Sequence, residues 1–341
     1  MLACVRRVNR GLRDGGGRAM IFVAADIGGS QARMLLAECD AAGARWTALR
    51  REVMASRDFA DAEALLQHFL RAGARPQVAC LALAGPLDGE RVRLTNLPWT
   101  VDAIELAARL GLRSLRLIND FHAQALGLPE LHARDLHTLQ PGAPNATGVR
   151  ALIGAGTGLG MVLLAEDRGE LRVLPSEGGH ADFAPRDAQQ IALLQYLLPR
   201  TGRVALEDLL SGRGLERIYR FVAGLPDEPA PASPEAPAIG AAARAGERHA
   251  SEAVDLFARL LASAAGNLAL TALARGGVYL SGGIAPRILP FLRQPSVLAA
   301  FRDKPPMRDL LEAIPLSVVL DEQLGLIGAA RAALQLVQES Q

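Results

Sequence analysis

The chain contains the pattern strand, glycine-rich turn, strand twice, and this repeat constrains its fold more than any other feature. The first turn is residues 26–30 (DIGGS), and the second is residues 154–160 (GAGTGLG). Short apolar runs flank both turns, at residues 21–25, 33–37, 149–153 and 161–165. Because glycine has no Cβ atom, backbone N–H groups in such a turn can close on an anion. Two turns of this kind predict a phosphate group that is held from both sides.

The glycine spacing excludes two common nucleotide-binding motifs. A P-loop requires a lysine directly after its glycines, whereas the single lysine of this sequence, Lys304, lies in a loop-like stretch. The dinucleotide-binding fingerprint G-x-G-x-x-G opens a helix. In the second turn Leu159 stands where the third glycine is required, and the residues after it predict a strand.

The composition is that of a globular protein long enough for two domains. The 341 residues are 50% hydrophobic and carry a net charge of +1, which argues against a nucleic-acid-binding or disordered chain. Cys4, Cys39 and Cys80 are too few and too scattered for a disulfide framework or a zinc site, so we expect reduced thiols in a cytoplasmic protein. No apolar run approaches the ~20 residues that span a bilayer. Residues 256–273 predict a buried helix.

Two segments fall outside the regular pattern. Residues 1–19 are rich in arginine and lack the apolar core of a signal peptide, so we expect a disordered extension or an upstream start codon. The fold is then expected to begin at Met20. Residues 224–237 contain five prolines and predict an exposed loop.

The remaining apolar runs alternate between strand and helix patterns. After the first hairpin, a strand at the sheet edge is predicted over residues 51–54 and a helix over 61–71. The series continues with a strand over 78–84, a helix over 102–110 and a strand over 115–118. The second turn begins a similar series, which ends with strands over 278–280 and 316–320 and a closing helix over 325–337.

Asn119 and Asp120 directly follow the strand over 115–118. The carboxyl ends of strands line the functional crevice in open α/β sheets, so Asp120 can be a general base with Asn119 holding a substrate. Both residue types equally favour the N-cap of a helix, here over residues 122–126. The residues alone leave these two roles open.

A second polar cluster lies in residues 175–183 (PSEGGHADF). Two glycines interrupt its ionisable residues, which lets Glu177 and His180 point into one space. A metal site is the competing interpretation, because histidine and carboxylates are metal ligands. The sequence contains no partner cluster elsewhere, so we favour a polar binding loop.

Together these motifs resemble those of the bacterial glucokinases, within the superfamily of hexokinases, actin and chaperone ATPases. Eight segments match in the family's order from Met20 to the closing helix: residues 26–33 (DIGGSQAR), 83–86 (LAGP), 95–99 (TNLPW), 117–121 (LINDF), 154–160 (GAGTGLG), 176–183 (SEGGHADF), 210–215 (LSGRGL) and 280–287 (LSGGIAPR). The sequence shows neither the cysteine-rich zinc motif nor the DNA-binding domain typical of the repressor branch of sugar kinases. The resemblance is therefore to the non-repressor branch.

The resemblance implies an α/β protein with a duplicated RNase-H-like (actin-like ATPase) fold, whose two domains flank a cleft for glucose and ATP. The small domain would comprise residues 20–128 and 322–341, and the large domain residues 129–321. The motif match implies that Asp120 is the catalytic base. The implied sugar-binding residues are Asn119, Asp120, Glu177, His180 and Glu207.

The implied nucleotide-binding residues are Asp26, Ile27, Gly28, Gly29, Ser30, Gly156, Thr157, Gly158, Gly282 and Gly283. Asp26 would contact Mg²⁺ through water, and its alternative role is that of a turn residue. Asp208 adjoins Glu207, so a shift of one residue would change that sugar contact. The chain departs from the family at Ser30-Gln31, where Thr-Asn is usual, which leaves altered nucleotide handling open.

The implied activity is the ATP-dependent phosphorylation of glucose at its 6-hydroxyl, with Mg²⁺ and an in-line transfer to the attacking oxygen. We expect a cytoplasmic homodimer that acts in glycolysis and binds neither nucleic acid nor membranes. Two alternatives stay open. One is a non-catalytic sugar-binding regulator of the same fold, and the other is a kinase for another hexose.

Overall fold

The structure of the protein, a computed structural model, describes residues 19–40, 43, 45–143, 145, 147–228 and 234–339. The predicted N-terminal extension lies outside the described residues except for Ala19, and so do residues 229–233 of the predicted proline-rich loop. In chain order the strands are β1 (Met20–Ile27), β2 (Gln31–Cys39), β3 (Trp46–Ala55), β4 (Val78–Leu83), β5 (Leu87–Asp88), β6 (Arg91–Arg93), β7 (Thr100–Asp102), β8 (Ser114–Asn119), β9 (Leu136–Gln140), β10 (Arg150–Ala155), β11 (Leu159–Asp167), β12 (Glu170–Ser176), β13 (Gly277–Ser281) and β14 (Leu316–Val319). The α-helices are α1 (Ala62–Leu70), α2 (Ala103–Leu110), α3 (Asp120–Gly127), α4 (Ala188–Thr201), α5 (Gly212–Val222), α6 (Ala236–Arg244), α7 (Arg248–Ala272), α8 (Leu289–Leu292), α9 (Pro295–Arg302), α10 (Arg308–Ala313) and α11 (Leu324–Glu339).

The described residues divide into two compact units. Unit 1 comprises the described residues up to Leu131 together with those from Gln323 onward. Unit 2 is His132–Glu322. Each unit contains one of the two glycine-rich turns.

Unit 1 is built on a five-stranded sheet in the order β3-β2-β1-β4-β8. β1 and β2 form the predicted hairpin, β3 is an antiparallel edge strand, and β4 and β8 continue the sheet parallel to β1. On one face, Val23 and Ala25 belong to a core shared with α1 and α2. On the other face Phe22 and Ala24 are also fully buried, and α11 packs against β1. Because both faces of β1 are covered, its sequence is a continuous apolar run.

Unit 2 contains a six-stranded sheet in the order β12-β11-β10-β13-β14-β9. Its first five strands repeat the arrangement of unit 1, with an antiparallel hairpin β10–β11, an edge strand β12 and two parallel strands β13 and β14. β9 adds an antiparallel strand at the far edge. The duplicated α/β architecture predicted from the sequence is therefore confirmed.

The longest described helix, α7, forms the centre of the unit 2 core. By length and composition it could cross a membrane, which corrects the expectation that no apolar run is long enough. Most of its apolar residues are buried, Leu256, Phe257 and Leu261 completely. The buried helix predicted over residues 256–273 is thus confirmed, and it begins earlier, at Arg248.

The small three-stranded sheet β5-β6-β7 of unit 1 was not predicted from the sequence. Its strands are two or three residues long, and in β6 and β7 only the central valines, Val92 and Val101, are buried. Such short segments contain too few residues for the period-2 alternation that identifies a strand.

Candidate active site

The first glycine-rich turn joins β1 to β2 in unit 1. Gly28 N donates to Gln31 O at 2.9 Å, which closes the turn. Ser56, directly after β3, stabilises the turn through two hydrogen bonds. Its hydroxyl donates to Gly28 O at 2.8 Å, and its backbone N donates to Ser30 O at 3.1 Å. Ser56 is fully buried, and no sequence motif singled it out. The side chains of Ser30 and Gln31 are exposed, so the departure from Thr-Asn changes the surface of the turn.

Two of the matched motifs, LAGP and TNLPW, meet beside this turn. Thr95 donates to Ala84 O through its backbone N at 3.1 Å and through its Oγ1 at 3.2 Å. Asn96 then lies directly against Gly29, where an added Cβ would come within 2.6 Å of the Asn96 Cβ. Only glycine therefore fits at this position of the turn.

β8 ends at Asn119, and α3 begins at Asp120. Asn119 is the N-cap of α3, because its Oδ1 accepts from Phe121 N at 2.9 Å and from His122 N at 3.3 Å. Its Nδ2 donates to Gly85 O at 3.3 Å. The N-cap role, which the residues alone left open, thus falls to Asn119. The carboxyl group of Asp120 is the one placed for acid–base chemistry at this strand end.

Asp26 and Asp120 form a pair of interacting carboxyl groups. The pKa of Asp120 is raised to about 7, mainly by burial and further by the charge of Asp26, against hydrogen bonds from Phe121 and Asn119. Burial likewise raises the pKa of Asp26 to about 6, although the charge of Arg33 opposes it. Carboxyl groups with raised and unequal pKa values are typical of acid–base sites.

The packing of α3 on α11 fixes both carboxyl groups within unit 1. The carboxyl group of Asp26 lies against Gly325 in the first turn of α11, where an added Cβ would come within 2.5 Å of Asp26 Oδ2. One turn further, an added Cβ at Gly328 would overlap the carbonyl oxygen of Ala123 in α3. The positive end of the α11 dipole therefore lies near Asp26 and favours its ionised form.

The second glycine-rich turn joins β10 to β11 in unit 2. Gly156 N donates to Gly158 O at 2.8 Å. The motif LSGRGL contacts the turn through Gly212 N, which donates to Gly156 O at 2.8 Å. The motif LSGGIAPR contacts it through Ile284 N, which donates to Ala155 O at 3.3 Å. The structure thus brings together the residues predicted to bind the nucleotide in this unit: Gly156, Thr157, Gly158, Gly282 and Gly283.

The predicted sugar-binding loop follows β12 in unit 2. Gly179 lies so close to the carbonyl of Leu159, at the start of β11, that an added Cβ would overlap it. The side chains of Glu177 and His180 are 82% and 60% exposed, and Glu177 Oε2 lies 3.9 Å from His180 Nε2. Two polar groups are therefore held next to each other, open to a ligand, beside the second turn.

Glu207 lies against the second turn rather than in open solvent. Backbone hydrogen bonds between residues 181–183 and 204–206 hold this segment beside the polar loop. Glu207 Oε2 accepts from Leu159 N at 2.9 Å. The neighbouring Asp208 forms an ion pair with an arginine of α5 instead. Of the two adjacent carboxylates, Glu207 is thus the one that contacts the turn.

No group of three or more histidine, cysteine, aspartate and glutamate side chains could hold a metal ion within the described part of the chain. Mg²⁺ in phosphoryl-transfer sites takes one or two carboxylates together with waters and substrate phosphates. The carboxyl group of Asp26, the first residue of the first glycine-rich turn, fits such a partial site.

Comparison with known proteins gives one consistent family. The family model named Glucokinase matches residues 23–336. The glucokinase of Nostoc punctiforme is 39% identical over 341 aligned residues, which cover 93% of this chain and 99% of that protein. The solved glucokinase of an Antarctic psychrotroph superposes with a TM-score of 0.79 at 31% identity, over 93% of this chain and 99% of that one. The glucokinase of Balamuthia mandrillaris, solved in complex with glucose, superposes with a TM-score of 0.77 at 26% identity, over 92% and 94%.

These similarities run through the whole described core and confirm both the resemblance drawn from the motifs and the actin-like ATPase fold. The chain belongs to the glucokinase family.

Proposed function

We propose that this protein transfers the γ-phosphoryl group of ATP to the 6-hydroxyl of glucose and so forms glucose 6-phosphate. The observation that carries the proposal is the carboxyl group of Asp120 at the end of β8, with its pKa raised to about 7 beside Asp26. Family membership supports the choice of substrate, because the Nostoc relative is named a glucokinase and the Balamuthia relative was solved with glucose.

Asp120 is the general base in this proposal. A sugar hydroxyl is a poor nucleophile, and it must lose its proton as its oxygen attacks the γ-phosphorus. A positioned base contributes typically ~10²–10⁴-fold, most effectively when its pKa lies near the working pH. With a pKa of about 7, Asp120 is substantially ionised at neutral pH and still basic enough to accept the proton. The attacking and leaving oxygens then lie in line across the phosphorus.

The two glycine-rich turns position the donor. Phosphoryl transfer depends mainly on positioning and on charge stabilisation. The backbone N–H groups of residues 28–30 and 156–158 bind the triphosphate in this proposal, and Gly282 and Gly283 lie near the adenosine. Asp26 would hold Mg²⁺ through water, and a Mg²⁺ ion held there would neutralise charge on the phosphate oxygens.

Asn119, Glu177 and His180 are proposed to bind the sugar hydroxyls. Each offers a hydrogen-bonding group, and an analogue that lacks one hydroxyl would lose the hydrogen bond that this hydroxyl makes. Glu207 is likewise proposed to bind the sugar, and it also holds the second turn, since its Oε2 accepts from Leu159 N.

A homodimeric state, a cytoplasmic location and a role in glycolysis are proposed on family membership alone. The alternative of a non-catalytic sugar-binding regulator has less support, because a regulator would not need the paired carboxyl groups of Asp26 and Asp120. The alternative of a kinase for another hexose differs only in the groups that contact the sugar.

A coupled assay that follows product formation with ATP and Mg²⁺ tests this proposal. Glucose, mannose, fructose and glucosamine are compared by kcat/KM, and glucose binding is measured separately by calorimetry. The proposal predicts turnover with the highest kcat/KM for glucose. Glucose binding without turnover would identify a regulator, and a higher kcat/KM for another sugar would identify a kinase for that sugar.

A further inference from the structure

We infer that Ser56 is a positioning residue, which aims the N–H groups of the first glycine-rich turn at the phosphates of the nucleotide. The inference rests on the proposed function. Ser56 follows β3, lies 28 residues from Gly28 in the sequence and is fully buried. It belongs to none of the motifs that carry the family resemblance.

Two hydrogen bonds join Ser56 to opposite ends of the turn. Its hydroxyl donates to Gly28 O at 2.8 Å, and its backbone N donates to Ser30 O at 3.1 Å. The turn therefore directs two of its carbonyl groups toward one buried residue. These bonds also tie the end of β3 to the β1–β2 connection.

The planarity of the peptide bond converts this contact into a direction for the next N–H group. In a planar trans peptide, the C=O of one residue and the N–H of the following residue point in opposite directions. Because the C=O of Gly28 points toward Ser56, the N–H of Gly29 points away from it. Among the described residues, Gly29 N has no acceptor. A fixed, unpaired N–H group is what a phosphate oxygen requires.

The second turn has the same arrangement with a backbone donor. Gly212 N, at the start of α5, donates to Gly156 O at 2.8 Å, so the N–H of Thr157 points away from α5. Because this donor is a backbone N–H, only a substitution by proline would remove it. In the first turn the donor is a side-chain hydroxyl, so Ser56 is the position at which the arrangement can be tested directly.

Loss of the hydroxyl leaves Gly28 O without its donor and frees the Gly28–Gly29 peptide to rotate. The net value of one such hydrogen bond corresponds to about a 3- to 10-fold change in an equilibrium constant. We therefore expect Ser56→Ala to weaken ATP binding and raise the KM for ATP by this factor. Glucose affinity and kcat at saturating ATP are expected to stay within about twofold of wild type.

The experiment measures binding of Mg²⁺-ATP and of glucose by calorimetry, together with steady-state kinetics, for wild type, Ser56→Ala and Ser263→Ala. Ser263 is the matched control, a buried serine of α7 whose hydroxyl contacts Lys304 Nζ at 3.3 Å. Ser263→Ala is expected to change neither affinity. Ser56→Cys, similar in size and with only a weak donor, is a second variant with the same expected direction.

Three results would overturn the inference: unchanged ATP affinity in folded Ser56 variants, an equal loss of ATP and glucose affinity, or no ATP binding by the wild type. An equal loss of both affinities would identify a role in general stability. If the wild type binds ATP but does not phosphorylate glucose, the proposed function fails. The comparison of ATP affinities then still decides the role of Ser56.

Discussion

At the scale of single residues, the carboxyl pair Asp26 and Asp120 determines the expected pH dependence. Proton transfer requires the ionised form of Asp120, so kcat/KM is expected to rise with pH through about 7. Asp26→Asn removes a negative charge that raises this pKa, so the rising limb should move to lower pH. The pH–rate profile measures this shift, with Asp309→Asn, at an exposed position of α10, as the control. If kcat/KM rises at the same pH in Asp26→Asn as in wild type, the two carboxyl groups do not interact.

The same pKa values predict that these carboxyl groups destabilise the ligand-free protein at higher pH. The pKa values are raised from 3.8 to about 6 for Asp26 and to about 7 for Asp120. At a pH between the unfolded and the folded pKa values, the folded state therefore binds more protons than the unfolded state. Their contribution to stability is therefore present below about pH 4 and is lost as the pH rises through about 7. Asp120→Asn cannot ionise, so it is expected to raise the Tm at pH 8 by more than at pH 4. Equal changes at the two pH values would contradict this linkage.

The contact of Glu207 with the second turn predicts different effects for two substitutions. Glu207→Ala leaves Leu159 N without its acceptor, which loosens the second turn. A loss of ~1–2 kcal/mol in the free energy of ATP binding corresponds to about a 5- to 30-fold rise in the KM for ATP. Glu207→Gln keeps an acceptor oxygen and is expected to have a smaller effect. Steady-state kinetics with both substrates test this. An increase confined to the KM for glucose would show that Glu207 acts on the sugar alone.

Residues in local patterns could be predicted from the sequence, and residues defined by distant contacts could not. Some site residues directly follow apolar runs that predict strands, and this position indicates a functional role. They are the glycines of both turns and the pair Asn119-Asp120. Ser56 reaches its turn across 28 residues, and nothing in its neighbours distinguishes its side chain. Glu207 was named only through its place before the motif LSGRGL, and its contact with the second turn, across 48 residues, was not predicted. Only the folded structure brings such contacts together.

At the scale of elements, the packing of α3 on α11 holds the acid–base pair in place. Gly328→Ala would drive a Cβ into the carbonyl of Ala123, and such overpacking costs typically ~1–3 kcal/mol. We expect a lower Tm and a lower kcat. Gly240→Ala in α6 is the control, because its nearest neighbouring atom would be Arg244 Nη1 at 3.6 Å. A Gly328→Ala variant as stable as this control would contradict the tight packing.

Burial explains which elements the sequence could predict. β1, β4 and α7 are largely covered, so their apolar runs or helical spacing are long and continuous. The edge strand β3 was predicted over residues 51–54 alone, whereas it covers Trp46–Ala55. Its Leu49 and Val53 are 48% and 60% exposed, so the apolar residues of β3 do not mark a buried face from which the strand could be identified.

At the scale of the whole molecule, two sheets of the same strand order each present a glycine-rich turn between their first two strands. The repeated pattern in the sequence was sufficient to predict this duplication. Of the described helices of unit 2, α7 was predicted from the sequence. The other helices from α4 to α10 were not, because helices of a few turns that pack on one another are defined by tertiary contacts. The two turns share more than glycines, since in each the carbonyl of Gly28 or Gly156 accepts a hydrogen bond from outside the turn.

The role of Asp120 as acceptor of the sugar hydroxyl proton can be tested by measuring kcat at saturating glucose and ATP. Wild type, Asp120→Ala and the exposed control Asp309→Ala are compared in the coupled assay at neutral pH, after their folding has been verified. We expect kcat to fall by ~10²–10⁴-fold in Asp120→Ala and to stay unchanged in the control. Turnover of Asp120→Ala within a few-fold of wild type would contradict this role.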